Sequence, residues 1–345
     1  MNNIVLTGGG TAGHCIPNIA LLPYLKKFDN VYYIGSTSVE KNIALNNGLK
    51  FFEVPSQKLV RSFTLKNLSI PFTLIKGVKE SKRILKELNP KVVFAKGGFV
   101  SYPVVVGAKL LNIPVVLHES DFSIGLSNKL SIPFCDKVLT AFPDTAKKIK
   151  KGVFVGNPIR TFNLKKDRSW FKKEFGFDDK PTILVMGGSL GSKKINRAVL
   201  DALDSLLPTF NILHIVGKNN KTNLIKKGYF ELEFCLDMEK VYTISDLAIS
   251  RAGANATFEL CSLKIPTLFI PLSKEISRGD QIENARYFTN KKASLTLYEE
   301  DLTKESLVKS IFNLYKDRFT ITKNLESLDL LGANQKIANI LSSYI

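Results

Sequence analysis

The chain has 345 residues, of which 44% are apolar and 23% charged, a composition that excludes a disordered, collagenous or coiled-coil protein. Its length suits two domains, each large enough to form its own core. Lysine and arginine outnumber aspartate and glutamate by 49 to 31. The resulting net charge of +18 predicts an anionic partner, either nucleic acid, an acidic membrane surface or a phosphorylated substrate.

Cysteine and histidine are too sparse to suggest a metal centre. The four cysteines are far apart without any CxxC pair, and only three histidines are present, so we expect no zinc site and a reducing cytosol. The N-terminus enters a strand without a basic segment before it, so no signal peptide is expected. No uncharged apolar run reaches about 18 residues, so we expect no membrane-spanning helix.

Short apolar runs alternate with helix-length segments along the whole chain, which is typical of βαβ units with parallel strands. The strands predicted in the first half are residues 4–7, 31–35, 51–55, 92–96, 115–118 and 137–142. Those predicted in the second half are residues 183–187, 212–217, 229–234, 247–251, 267–271 and 294–298. Pro23 falls inside the first predicted helix and should shorten or kink it.

The two halves of the chain open alike. Residues 3–10 and residues 182–189 each read as a strand that runs into a Gly-rich turn and then a helix. We therefore predict an α/β fold with two Rossmann-like domains facing a cleft. The first domain covers residues 1–158 and the second residues 159–330, and a helix at about 331–345 returns to the first domain.

The positive charge is concentrated in one segment. Residues 58–91 carry nine basic and two acidic residues, interleaved with apolar ones. This pattern suits an element lying on an anionic bilayer, and equally a core helix with a solvated lysine face. A nucleic-acid partner is less attractive, because no recognised nucleic-acid motif is present.

A Gly-rich loop follows the first predicted strand. Gly8, Gly10 and Gly13 satisfy G-x-G-x-x-G, but a dinucleotide-binding domain also needs an acidic residue where the second strand ends. That strand ends at Ser36 without one, which weakens a nicotinamide-cofactor interpretation. The loop can still approach a ligand closely, and His14 closes it either as a functional residue or as a capping or packing histidine.

The second half contains three comparable strand ends. Residues 187–192 offer backbone N–H groups and the hydroxyl of Ser189 to a phosphate, unless they form a plain tight turn. Glu259 could accept both hydroxyls of a ribose, or be a surface glutamate at a helix start. Gln281 could bind a sugar hydroxyl, or mark an exposed helix start.

Further polar residues follow two strands of the first half. Residues 118–121 read His-Glu-Ser-Asp, and residues 96–101 follow the neighbouring strand. Three titratable groups at one strand end are unusual for a loop. Together with His14 they should line one side of the cleft.

These motifs resemble, in order and spacing, those of the MurG family of peptidoglycan N-acetylglucosaminyltransferases. The resemblance rests on residues 8–14, 97–101, 118–119, 156–160, 187–191, 253–259 and 280–285 and covers nearly the whole chain. It implies the GT-B type of fold, a UDP-N-acetylglucosamine donor held mainly by the C-terminal domain, and an undecaprenyl-linked muramoyl-pentapeptide acceptor held by the N-terminal one. It also implies peripheral association with the cytoplasmic face of the cell membrane, whose anionic surface is then the partner of the basic segment.

The resemblance also implies roles for individual residues. Arg160 and Ser189 would contact the diphosphate or uridine, Glu259 the ribose and Gln281 the transferred sugar. The segment Thr11, Ala12 and Gly13 would meet the donor from the opposite wall. His14 matches the histidine considered as the base. Asp121 stands where many members have an amide, so the base stays open among His14, Glu119 and Asp121.

The reaction expected from this resemblance is an inverting transfer of N-acetylglucosamine to the 4-hydroxyl of the muramoyl sugar, without a cofactor or metal. Its transition state should resemble an oxocarbenium ion, as in glycoside hydrolysis. Three alternatives stay open: sugar transfer to diacylglycerol, a UDP-sugar 2-epimerase, and a basic nucleic-acid-binding module.

Overall fold

The computed structural model describes residues 1–57, 69–164, 167–188 and 190–345. The chain divides into two compact units. Unit 1 comprises Met1–Arg160 together with Leu331–Ile345, and unit 2 comprises Thr161–Leu330. Within the described residues, none of the helices combines the length and the apolarity that crossing a bilayer would require.

Unit 1 is built on a sheet that has seven parallel strands in its described part, in the order β3-β2-β1-β4-β5-β6-β7. The central strands are almost entirely buried and most of their residues are apolar, as expected for a sheet covered on both faces. The strands are β1 (Asn3–Thr7), β2 (Asn30–Gly35), β3 (Lys50–Glu53), β4 (Val92–Ala95), β5 (Val115–Glu119), β6 (Lys137–Thr140) and β7 (Gly152–Phe154).

Helices cover both faces of this sheet. They are α1 (Ala12–Leu21), α2 (Val39–Asn46), α3 (Ile70–Leu88), α4 (Ser101–Leu110), α5 (Leu126–Ser131) and α6 (Pro143–Lys147). Helix α1 ends at Leu21, and Pro23 lies in the 3-10 turn that follows, which confirms that this proline shortens the helix. A second proline, Pro17, lies inside α1.

The last helix of the chain completes the core of unit 1. Helix α13 (Ala333–Ser342) buries Ile337, Ala338 and Leu341 in the same apolar cluster as Ile4 and Leu21. The side-chain amide of Asn334 donates to Ala20 O at 3.3 Å and to Ile159 O at 2.8 Å. The chain therefore leaves unit 1 after Arg160 and returns to it at Leu331.

Unit 2 has the same architecture, a parallel sheet with helices. In its described part, six parallel strands follow the order β10-β9-β8-β11-β12-β13. These are β8 (Thr182–Met186), β9 (Asn211–Ile215), β10 (Tyr229–Leu232), β11 (Leu247–Ser250), β12 (Thr267–Phe269) and β13 (Leu295–Thr296). The helices are α7 (Arg168–Glu174), α8 (Lys193–Leu206), α9 (Met238–Ile244), α10 (Ala254–Ser262), α11 (Asp280–Asn290) and α12 (Lys304–Glu326).

The described part of the basic segment has different surroundings at its two ends. Residues 58–68 lie outside the described residues, and α3 carries most of the remainder. The last turns of α3 bury Ile84, Leu85 and Leu88 in the core. Its first turns expose Phe72 and Ile75, at 71% and 66%. Helix α3 is thus a core helix at one end and an exposed apolar and basic surface at the other.

Candidate active site

The Gly-rich loop between β1 and α1 lies where the strand order of unit 1 reverses, the place where α/β sheets bind ligands. Gly10 has a φ of +84°, which only glycine adopts readily, and a Cβ there would come within 2.4 Å of Phe99. The N–H of Gly10 donates to Glu40 Oε2 at 3.2 Å, and that of Gly9 to Gly97 O at 3.4 Å. The loop is therefore held firmly in one conformation.

This loop forms one wall of a cavity of about 510 Å³ that lies within unit 1. His14 and Thr11 contribute to the same wall. Most of the remaining lining is apolar or aromatic, contributed by Pro55, Ile70, Leu74, Phe99, Tyr102, Pro103, Leu126 and Leu130. A half-buried histidine at the edge of an apolar cavity can remove a proton from a bound hydroxyl.

A buried lysine lies beneath the neighbouring strand ends. Lys96 Nζ is 2.8 Å from His118 Nδ1 and 3.3 Å from Asn157 Oδ1, and it also contacts Ser120 Oγ. Burial lowers the pKa of Lys96 to about 7, against the raising effect of Glu119 and Asp121. Because the ammonium donates to Nδ1, His118 carries its own proton on Nε2 and donates it to Gly156 O, at 2.9 Å.

Both ring nitrogens of His118 are therefore engaged, and they join Lys96 to the backbone of Gly156. It is fully buried, and burial together with the adjacent Lys96 charge lowers its pKa well below the usual value. The expectation that this residue lines an open cleft is wrong for its side chain, because the lysine and the backbone of Gly156 enclose it.

Glu119 fastens the loop that follows β5. Its Oε1 accepts from the N–H of Asp121 at 3.0 Å, and its Oε2 accepts from Gly125 N and Asn128 Nδ2, both at 2.9 Å. Burial and the Asp121 charge raise the pKa of Glu119, while the three donors oppose that rise. Asp121 itself is half-buried. All three of these donors belong to the loop after β5 or to α5.

In unit 2 the matching Gly-rich loop connects β8 to α8, again where the strand order reverses. A Cβ on Gly191, which has a φ of +75°, would come within 2.0 Å of Val216 O, so the loop lies directly against the end of β9. Ser192 caps α8 and accepts from Ile195 N at 3.4 Å. The amides at the start of this 14-residue helix suit an anionic group. Ser189 lies outside the described residues.

Arg251, which is not among the predicted site residues, connects the loop between β8 and α8 to the segments that follow the neighbouring strands. Its guanidinium donates to Ser192 Oγ at 2.8 Å and to the carbonyl oxygens of Ile270 and Pro271 at 3.0 and 3.2 Å. It also forms an ion pair with Glu299, whose other oxygen lies 2.8 Å from Lys194 Nζ. The buried charge thus fixes three segments at one edge of the sheet.

The two predicted sugar-binding residues of unit 2 occupy different surroundings. Glu259 is buried on α10, and Tyr242 donates to its Oε2 at 2.8 Å, so the alternative of a surface glutamate is wrong. Gln281 is half-buried near the start of α11, and its Oε1 accepts from Leu272 N at 3.2 Å. This hydrogen bond fixes the orientation of the Gln281 side-chain amide, including its N–H₂ group.

The remaining predicted contacts belong to unit 1. Thr11 and Gly13 are exposed and Ala12 is half-buried, all at the N-terminus of α1. Arg160 is half-buried at the last position before the chain enters unit 2. Among the described residues, no group of three or more His, Cys, Asp and Glu side chains is arranged to hold a metal ion.

Comparison with known proteins places both units in one family. Residues 4–140 match the glycosyltransferase family 28 N-terminal domain, and residues 182–338 match the C-terminal domain of that family. A Clostridium tetani protein is 45% identical over 349 residues, covering 99% of this chain and 98% of its own length. It is named UDP-N-acetylglucosamine--N-acetylmuramyl-(pentapeptide) pyrophosphoryl-undecaprenol N-acetylglucosamine transferase. The chain belongs to the MurG family of glycosyltransferases.

A second relative and a solved structure also match this chain over nearly its full length. A Clostridium botulinum (strain Hall) protein of the same name is 45% identical and covers 100% of this chain and 99% of its own length. The crystal structure of Acinetobacter baumannii MurG has the same fold, with a TM-score of 0.78 at 24% identity over 99% of this chain and all of that one. The resemblance to the MurG family and the GT-B fold class are both confirmed.

The buried lysine at the edge of the first sheet should make stability depend on pH. Between about pH 7 and the usual lysine pKa of about 10.4, the folded protein binds fewer protons at Lys96 than the unfolded chain does. The free energy of unfolding should therefore rise with pH across this range, by at most about 1.4 kcal/mol per unit. Denaturant titrations at several pH values should show this slope in the parent and its loss in Lys96→Met. Identical slopes for the two proteins would contradict it.

Proposed function

We propose that this protein transfers N-acetylglucosamine from UDP-N-acetylglucosamine to the 4-hydroxyl of undecaprenyl-diphospho-N-acetylmuramoyl-pentapeptide, with inversion at the anomeric carbon. The observation that carries the proposal is the 45% identity, over essentially the full length, to relatives named for that transfer. In this proposal unit 1 binds the acceptor and unit 2 binds the donor.

The residues of unit 1 support acceptor chemistry. His14 borders a cavity whose lining is mostly apolar, and it has access to a hydroxyl bound there. Of the three candidate bases, Glu119 accepts three hydrogen bonds from its own loop and helix. We assign the base to His14 because, of the three candidates, it is the one that lines this cavity. It takes the proton of the attacking hydroxyl as the glycosidic bond forms.

The residues of unit 2 support departure of the nucleotide. The diphosphate gains negative charge as the bond to the sugar breaks, and the amides at the start of α8 can stabilise it. By resemblance, Arg160 and Ser189 add to that stabilisation, Glu259 holds the ribose and Gln281 the transferred sugar. Thr11, Ala12 and Gly13 would contact the donor from unit 1.

These groups lead us to expect that transfer needs no divalent cation. Helix amides and a guanidinium would neutralise the leaving diphosphate, so activity should survive EDTA at a large excess over any bound metal. Turnover should be measured before and after chelation, and again after addition of Mg²⁺ or Mn²⁺. Loss of activity that only the added metal restores would refute this assignment of the leaving-group charge.

We also propose peripheral binding to the anionic cytoplasmic face of the cell membrane through α3. Phe72 and Ile75 are exposed on its first turns, and Lys76, Lys79 and Lys86 are exposed on the same helix. Exposed apolar side chains with flanking lysines suit insertion into a negatively charged interface.

Replacing Lys76, Lys79 and Lys86 together by glutamate should weaken vesicle binding. Each lysine near an anionic surface is worth about 1 kcal/mol, so the three should cost at least about a hundredfold in partitioning. Sedimentation with phosphatidylglycerol-containing vesicles measures this, and the matched control replaces the exposed Lys309, Lys316 and Lys323 of α12. Equal losses in the two triple variants would show that net charge alone, rather than α3, governs binding.

The decisive assay for the proposed reaction measures release of UDP from UDP-N-acetylglucosamine, with and without the lipid-linked muramoyl acceptor. We expect release that depends on this acceptor and a product that gains one N-acetylglucosamine. Release with diacylglycerol in its place would indicate the alternative glycosyltransferase. Conversion of the UDP-sugar without any lipid would indicate an epimerase, and salt-sensitive binding of DNA or RNA without UDP release a nucleic-acid-binding module.

A further inference from the structure

Glu40 is a fully buried carboxylate beside the Gly-rich loop of unit 1. It lies in the first turn of α2, and its Oε1 accepts from the N–H of Ser36 at 3.1 Å and from the Ser36 hydroxyl. Its Oε2 accepts from the N–H of Gly10 at 3.2 Å. The carboxylate therefore joins the end of β2 to the loop that precedes α1.

No lysine or arginine among the described residues lies within ion-pair distance of this carboxylate. A buried charge without a counter-ion is costly to maintain, and here only N–H and O–H donors compensate it. A buried carboxylate also makes stronger hydrogen bonds than a neutral amide would. Glu40 therefore holds Gly10 more firmly than an uncharged side chain could.

The contact also leaves no space for the loop to shift toward α2. A Cβ on Gly9 would come within 2.5 Å of Glu40 Oε1, so the backbone already lies against the carboxylate. On the other side the ring of Phe99 lies against Gly10. The loop is held between the two, Thr11 follows Gly10 directly, and His14 lies in the first turn of α1.

We propose that Glu40 is a positioning residue for the transfer reaction: its carboxylate fixes Gly10 so that the start of α1 presents His14 to the cavity. This inference rests on the proposed function and on the role of His14 in it. Because Gly10 N donates to Glu40, the protein itself supplies the anion at this amide, which is therefore not offered to a substrate phosphate.

The test compares Glu40→Gln with a matched variant elsewhere. Glu231→Gln also removes the charge of a buried carboxylate that accepts from backbone amides and a hydroxyl, at Thr222 and Asn223 on the edge of the unit 2 sheet. For both variants we would measure unfolding midpoints, kcat, KM for each substrate and the Kd for UDP-N-acetylglucosamine. Hydrogen exchange of the peptide spanning residues 8–14 supplies a readout that does not depend on activity.

We expect Glu40→Gln to lower kcat by about 10- to 100-fold, because a displacement of about 1 Å in a reacting group can cost that much. The Kd for UDP-N-acetylglucosamine should change little, and exchange in residues 8–14 should accelerate. In Glu231→Gln, kcat and exchange in residues 8–14 should stay near the parent values. Ser36→Ala, which keeps the bond to Gly10, should lose less activity than Glu40→Gln.

Equal kcat values in the two glutamine variants, with unchanged exchange in residues 8–14, would overturn the inference. If Glu40→Gln does not fold, Glu40→Asp keeps the charge on a shorter side chain and should show the same effects to a lesser degree. A parent protein that transfers no sugar would refute the proposed function, and the exchange measurement would still decide whether Glu40 holds the loop.

Discussion

Replacing His14 by alanine should lower kcat by about 10²- to 10⁴-fold, the usual contribution of a general base. Without the imidazole, the acceptor hydroxyl must lose its proton to water while the sugar is transferred. Donor binding should be nearly unaffected, because the proposed donor contacts lie mainly in unit 2. Steady-state turnover with the lipid-linked acceptor and calorimetric titration with UDP-N-acetylglucosamine measure the two effects.

The other candidate bases supply the controls for this prediction. Glu119→Gln keeps an oxygen that can accept from the loop, and Asp121→Asn removes the carboxylate charge while keeping nearly the same side-chain size. Both should retain far more activity than His14→Ala. Near-normal turnover of His14→Ala, or a larger loss in Asp121→Asn, would transfer the base assignment away from His14.

Replacing Ile337 by alanine should destabilise unit 1 by about 2–5 kcal/mol, the usual cost of removing a large buried side chain. Ile337 is fully buried in the same core cluster as β1 and α1. Chemical denaturation followed by hydrogen exchange in β1 and α1 measures the loss. The same variant should leave exchange in the strands of unit 2 close to that of the parent.

Gln335→Ala is the matched control, because this residue is exposed on the same helix and its side-chain amide donates to Asn339 Oδ1 one turn away. It should cost less than about 0.5 kcal/mol. Ending the chain at Leu330 should have a larger effect than Ile337→Ala, since Ala338 and Leu341 are then lost as well. A truncated chain as stable as the parent would show that α13 contributes nothing to the core.

The fold could be predicted closely because buried parallel strands appear in the sequence as continuous apolar runs. All twelve predicted strands are present, with ends displaced by a few residues. Only β7 was missed among the described strands, since it has just three residues, of which Val153 is exposed and Gly152 and Phe154 are half-buried. The position of each Gly-rich loop followed from the strands, because a parallel sheet brings the strand ends to one edge.

The details of the site could not be predicted in the same way. The sequence pattern places an acidic partner of the first loop at the end of β2, near Ser36, whereas Glu40 reaches the loop from the first turn of α2. Lys96 and His118 are 22 residues apart and meet only because β4 and β5 are neighbours. Local patterns contain no information on such contacts, which depend on how side chains are oriented in the folded unit.

The return of α13 to unit 1 has a consequence for synthesis on the ribosome. Residues 1–160 are synthesised before unit 2, but their core lacks Ile337 and Leu341 until unit 2 has been made as well. Unit 2 is contiguous in sequence, so it can fold before α13 has been made and has completed the core of unit 1. Unit 1 is thus begun before unit 2 and completed after it, and in that interval its apolar surface is available to chaperones.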